Sequence, residues 1–98
     1  MAIRERVELG WDQRWMASPP RLTPRERRVL ELAAEGFSTQ EIARRLFVSH
    51  QCITYHLGNL LAKFGADNRA GMVARAFVFG YLEPDAWPPR ADPAAISR

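Results

Sequence analysis

The sequence predicts an all-α fold: four helices making one small domain, with a short N-terminal extension that also has helical spacing. Three observations carry this. Apolar residues between positions 24 and 79 recur three and four apart, the period of a helix with one buried face. Each such run opens on a capping residue and closes on a glycine or a tight turn. No segment alternates with the two-residue period of a strand, and no internal repeat is present.

The elements follow in order. Ile3, Val7, Trp11 and Trp15 stand four apart, so residues 1–17 have one apolar helical face, weakened by Gly10 and ended by Ser18-Pro19-Pro20. The first domain helix opens on Thr23, with Pro24 next and Glu26 three residues on, a capping box. Val29, Leu30, Leu32 and Ala33 form its apolar stripe, and Gly36 suits its end. Ser38 or Thr39, with Glu41 three residues after Ser38, opens a second, short helix whose buried stripe is Ile42, Ala43 and Leu46. Phe47 and Val48 make a tight connection. Ser49 caps a third helix running to Phe64, with Gly65 as its stop, and a fourth runs from Asn68 to about Phe79 and Gly80. From Glu83 the prolines 84, 88, 89 and 93 predict an extended, flexible tail. The expected organisation is an extension over 1–20, a domain over 21–82 and a tail over 83–98.

Composition bounds the function. Of 98 residues, 47% are hydrophobic and 26% charged, the balance of a globular rather than a disordered chain. The net charge of +3 is concentrated: residues 21–79 hold nine basic and five acidic side chains, residues 1–20 three of each, and residues 80–98 two basic and three acidic. A basic centre suits a polyanion but does not establish one. The single cysteine, Cys52, excludes an intrachain disulfide and fits a reducing compartment. No signal-peptide h-region is visible, and no apolar run approaches the ~20 residues of a bilayer span. A cytoplasmic location with no membrane partner is expected. No glycine-rich phosphate loop, nucleophile–base pair or carboxylate cluster supports an enzyme.

The third helix carries the functional signal. On a wheel at roughly 100° per residue, Ile53, Leu57, Leu60, Leu61 and Phe64 share one sector. Gln51, Tyr55, Gly58, Asn59 and Ala62 lie opposite, with Thr54 and His50 on one flank and Cys52, His56 and Lys63 on the other. This outward face has no Asp or Glu. Amides, hydroxyls, a phenol and small residues can approach base edges without repelling phosphates. The preceding short helix, with Arg44 and Arg45 near its end, and the tight turn complete a helix-turn-helix pattern. Periodicity alone fits a plain helical bundle equally well. His50, Gln51, Thr54, Tyr55 and Gly58 are the candidate base contacts and Asn59 a candidate backbone contact. Arg27/Arg28 and Arg44/Arg45 are read evenly as phosphate contacts or solvated charges. Cys52 and His56, four apart, have metal-ligand spacing, but His50 lies on the other flank. They are read as a packed cysteine beside a hydrogen-bonding histidine, and neither metal nor cofactor is expected.

Residues 22–82 resemble the DNA-binding domain of the LuxR/GerE family. Leu22-Thr23-Pro24-Arg25-Glu26-Arg27 is similar to its L-T-x-R-E-R opening, and Glu41-Ile42-Ala43 with Leu46 to its E-I-A-x-x-L. Val48-Ser49, Ile53 and His56 keep the spacing of I-S-x-x-T-V-K-x-H, and Lys63-Phe64-Gly65 with Asn68-Arg69 resembles K-L-G and the following Arg. The resemblance implies a third helix in the major groove and a fourth that forms a two-fold dimer. It implies base contacts at Thr54, Tyr55 and Gly58, and backbone contacts at or near Ser38, Gln40, Lys63 and Arg69. Val73, Ala76 and Phe77 of the apolar-rich fourth helix are the expected dimer contacts. Cys52 stands where the family usually has Thr, Thr54 where it usually has Lys, and Met72 where a small residue is usual. Only 21 residues precede Leu22, too few for a receiver or ligand-binding domain, so a stand-alone member is expected.

The expected function is therefore a sequence-specific double-stranded DNA-binding transcriptional regulator, acting as a homodimer, with RNA polymerase or another regulator as a further partner. The competing reading is a protein-interaction module that binds a sigma factor or another regulator with little DNA affinity. Trp11 and Trp15 are expected to anchor the extension on the domain or on a partner.

Overall fold

The structure, a computed structural model, describes residues 20–85 and 87–91. The expectations for residues 1–17, including Trp11 and Trp15, lie outside the described residues. Four helices follow one another: α1 (Pro24–Ala34), α2 (Thr39–Leu46), α3 (His50–Phe64) and α4 (Arg69–Val78). No strand forms among the described residues beyond an isolated bridge, as the all-α reading requires.

Local chemistry sets each boundary. Thr23 Oγ1 accepts from the Glu26 amide at 3.0 Å, while Glu26 Oε1 accepts from the Thr23 amide at 3.0 Å. Ser38 and Glu41 repeat this reciprocal pair at 3.1 and 2.8 Å. Each box satisfies two amides that a helix start leaves unpaired. Ser49 caps α3 by accepting from Cys52 N, and Asn68 caps α4 by accepting from Gly71 N. Gly36 closes α1 with φ +100°, a conformation open to glycine without steric cost. The turn after α2 is closed in the left-handed region by Phe47 itself, at φ 58°.

α3 is the central element: α1, α2 and α4 all pack on it, and α1 also meets α2 and α4. Its buried stripe, Ile53, Leu57, Leu60 and Phe64, meets Val29, Leu30 and Leu32 of α1, Ile42 of α2 and Met72 of α4 in one core. Leu46 and Leu61, expected inside, lie at its margin and are partly buried. Met72, the residue that departs from the family's small one, is fully buried. Its flexible thioether fills the core between helices instead of projecting toward solvent.

Two expectations change. Ala76, assigned to the dimer face, is fully buried within the chain. It lies four residues after Met72, so it shares the inward stripe of α4. The segment expected to leave the domain at Glu83 instead doubles back. Leu82 forms an antiparallel bridge with Ala91, and Glu83 N donates to Arg90 O at 2.9 Å. Ala91 N then donates to Glu31 Oε2 of α1 at 2.8 Å. Tyr81, Leu82, Pro89 and Ala91 are buried, Tyr81 lies edge-on to Phe64 at 5.1 Å, and its hydroxyl donates to Pro20 O. The prolines stop a helix here, yet apolar residues between them still find the core.

Candidate nucleic-acid interface

Burying Ile53, Leu57, Leu60 and Phe64 forces the opposite face of α3 outward. His50, Gln51, Thr54, Tyr55 and Gly58 are all exposed, Tyr55 by 67%, and Asn59 is half-buried. The helix carries no carboxylate along its whole length. A Cβ added at Gly58 would meet no heavy atom within 4 Å beyond the adjoining backbone of its own helix, so the fold itself does not require glycine there. The space above Gly58 is open, and the helix backbone can approach a flat surface closely. Thr54 Oγ1 donates to His50 O at 3.1 Å. With its hydrogen committed to the helix, the hydroxyl offers only acceptor lone pairs outward.

The two residues behind the face are linked to it. The Tyr55 and His56 rings meet edge-on at 5.6 Å. His56 Nδ1 is buried without a hydrogen-bond partner among the described residues. Cys52 is free and half-buried. Among the described residues, no three His, Cys, Asp or Glu side chains gather as a metal-binding set.

The candidate backbone contacts divide into two kinds. Ser38 and Gln40 are exposed at the start of α2. The Ser38 hydroxyl is occupied with the Glu41 amide, and the Glu41 carboxylate is held below its ordinary pKa, first by the Ser38 backbone N–H and then by the Ser38 hydroxyl. Lys63 and Arg69 are instead engaged within the domain. Lys63, the sole lysine of the sequence, places Nζ 2.7 Å from Oε1 of Glu26, a carboxylate only 4% exposed, and 2.8 Å from Arg21 O. That leaves one ammonium N–H for an outside partner. Arg69 donates from Nη1 to Phe37 O at 2.6 Å and from Nη2 to Thr39 Oγ1 at 3.2 Å. Arg44 and Arg45 are exposed, and Arg45 stacks over the Phe37 ring at 3.9 Å.

Phe47 is the residue that periodicity missed. It is 93% exposed at the corner of the turn between α2 and α3. Its signal was available: it falls outside the buried stripes of both helices, so nothing in the pattern calls it inward.

The sequence matches the family described as bacterial regulatory proteins, luxR family, over residues 20–76, more than half of the chain. The chain belongs to that family. Residues 20–76 are a DNA-binding helix-turn-helix domain of LuxR/GerE type. The spore germination protein GerE of Bacillus subtilis is 39% identical over 66 residues, 67% of this chain and 89% of GerE. An HTH-type transcriptional regulator of Mycobacterium tuberculosis is 40% identical over 73 residues, 74% of this chain but 7% of that protein. The transcriptional activator VanR of Vibrio anguillarum is 40% identical over 63 residues, 64% of this chain and 26% of VanR. The shared part is thus the DNA-binding domain, which in the two longer relatives is a small share of the chain. Among the described residues, no helix is long and apolar enough to cross a membrane.

Proposed function

We propose that this LuxR-type domain reads double-stranded DNA in a sequence-specific way and binds it as a two-fold homodimer. The observation that carries the reading is the exposed, carboxylate-free face of α3 with open space at Gly58. His50, Gln51, Thr54, Tyr55 and Gly58 present hydrogen-bonding groups and a small surface to the major groove. Ser38, Gln40, Asn59 and the third N–H of Lys63 meet the sugar–phosphate backbone. Base contacts discriminate sequence and backbone contacts fix register.

The dimer reading rests on α4. Val73 and Phe77 are only partly buried in the chain, and Val78 is half exposed. Apolar surface on a short helix near the end of a domain favours a second copy. The exposed Phe47 and Trp87 favour a protein partner beside DNA, either RNA polymerase or another regulator.

DNA fragments bound by the protein, selected from a random pool, test this. Two half-sites about one helical turn apart are expected, with two protomers per fragment at saturation. Saturation at one protomer on a single half-site contradicts the dimer. Failure to enrich any sequence favours the protein-interaction reading.

A further inference from the structure

Arg69 stands where its charge is unfavourable for its own helix. It is the first residue of α4, and that first turn has no acidic residue. The positive end of the helix dipole lies there, and a cation adds repulsion. Its guanidinium points away from α4 to the connection between α1 and α2. Nη1 donates to Phe37 O at 2.6 Å and Nη2 to Thr39 Oγ1 at 3.2 Å, so the two nitrogens grip the residues on either side of Ser38, the N-cap of α2. α2 and α4 do not pack on each other; each packs on α3. The Arg69 fork therefore ties together directly two elements that are otherwise joined only through the helices between them, α1 and α3.

We infer that Arg69 is a positioning residue for DNA binding rather than a phosphate ligand: it fixes the Ser38–Gln40 end of α2 relative to α4. The inference rests on the DNA-reading function and deepens it. If α4 sets the two-fold axis and the start of α2 meets the backbone, Arg69 sets the distance between them, and thereby the register of each half-site. Only a planar fork reaches two acceptors on different residues at once; a lysine keeps the charge but not the bridge.

Arg69→Lys and Arg69→Gln are measured against the native protein on a selected DNA site over a range of salt, with amide hydrogen exchange on the free proteins. A positioning role predicts that both variants lose affinity alike, by about tenfold, because both lose the charge-assisted bridge. It also predicts that the slope of log affinity against log salt is unchanged. Thr39→Val should weaken binding in the native background and add nothing to Arg69→Gln. In the free protein, Arg69→Gln should speed exchange of the Ser38, Glu41 and Ile42 amides and leave those of Ile53 and Leu60 protected. A phosphate ligand gives the opposite result: Arg69→Lys retains binding, and Arg69→Gln flattens the slope by about one unit. Either that pattern or unchanged exchange around Ser38 overturns the inference. The exchange data need no DNA, so failure of the native protein to bind DNA counts against the functional reading and leaves this test intact.

Discussion

At the scale of single residues, what decides function is which atoms are already committed. The Thr54 hydrogen is held by His50 O and the Ser38 hydroxyl by Glu41 N, whereas the side chains of Tyr55 and Gln51 make no hydrogen bond among the described residues and face outward. Sequence discrimination should therefore concentrate in Gln51 and Tyr55. Changing either to Ala is expected to cost about 1–3 kcal/mol on the selected site and much less on random DNA, measured by parallel titrations. Equal losses on both DNAs would move these residues from the bases to the backbone. The outward face was legible in the sequence because the buried stripe is regular enough to fix the wheel. The commitments of Lys63 and Arg69 were not. Their partners, Glu26 and Phe37 with Thr39, lie thirty or more residues away in sequence, and local spacing carries no trace of such pairings. A cation at a family phosphate position reads the same whether it faces a phosphate or a carboxylate.

At the scale of elements, caps and stops were the most legible feature. Thr23 and Ser49 cap the helices expected of them, Ser38 rather than Thr39 caps α2, and Asn68, where the fourth helix was expected to start, caps α4, because an N-cap is a contact within four residues and needs no knowledge of the fold. The turn of the helix-turn-helix was legible as tight, but not as left-handed. Phe47 occupies φ 58°, where a side chain costs energy that glycine avoids, and with 93% exposure it gains little burial in return. Phe47→Gly is therefore expected to raise the stability of the domain by up to about 1 kcal/mol in thermal or denaturant unfolding. Clear destabilisation would mean that Phe47 makes a contact outside the described residues. If the variant folds more stably yet loses activity with a protein partner, the exposed ring is an interaction residue. α4 shows the limit of periodicity: its apolar residues were found, but its short stripe left the inward side open, and Ala76 proved to belong to the core.

At the scale of the molecule, the charge and the topology agree. The basic excess lies in residues 21–79, the segment that forms the four helices. α3 sits among the other three, so the helix proposed to enter the groove is braced by all of them. Rigidity of this kind favours recognition, since little conformational freedom remains to be lost on binding. The returning segment at 82–91 adds to the bracing by holding α1 through Glu31. It was hidden from the sequence because prolines signal the end of helix without saying whether the chain then leaves the surface.

The central claim, that α3 enters the major groove, is tested most directly at Gly58. Its Cβ position is empty, so Gly58→Glu should fold as the native protein does, with an unchanged or slightly higher melting temperature. The measurement is the affinity of both proteins for a selected DNA site as salt is varied. The native affinity should fall linearly on logarithmic axes, by about 0.9 units for each phosphate neutralised, and the folded variant should not bind the site at all. Normal binding by folded Gly58→Glu, or native binding indifferent to salt, would contradict the account.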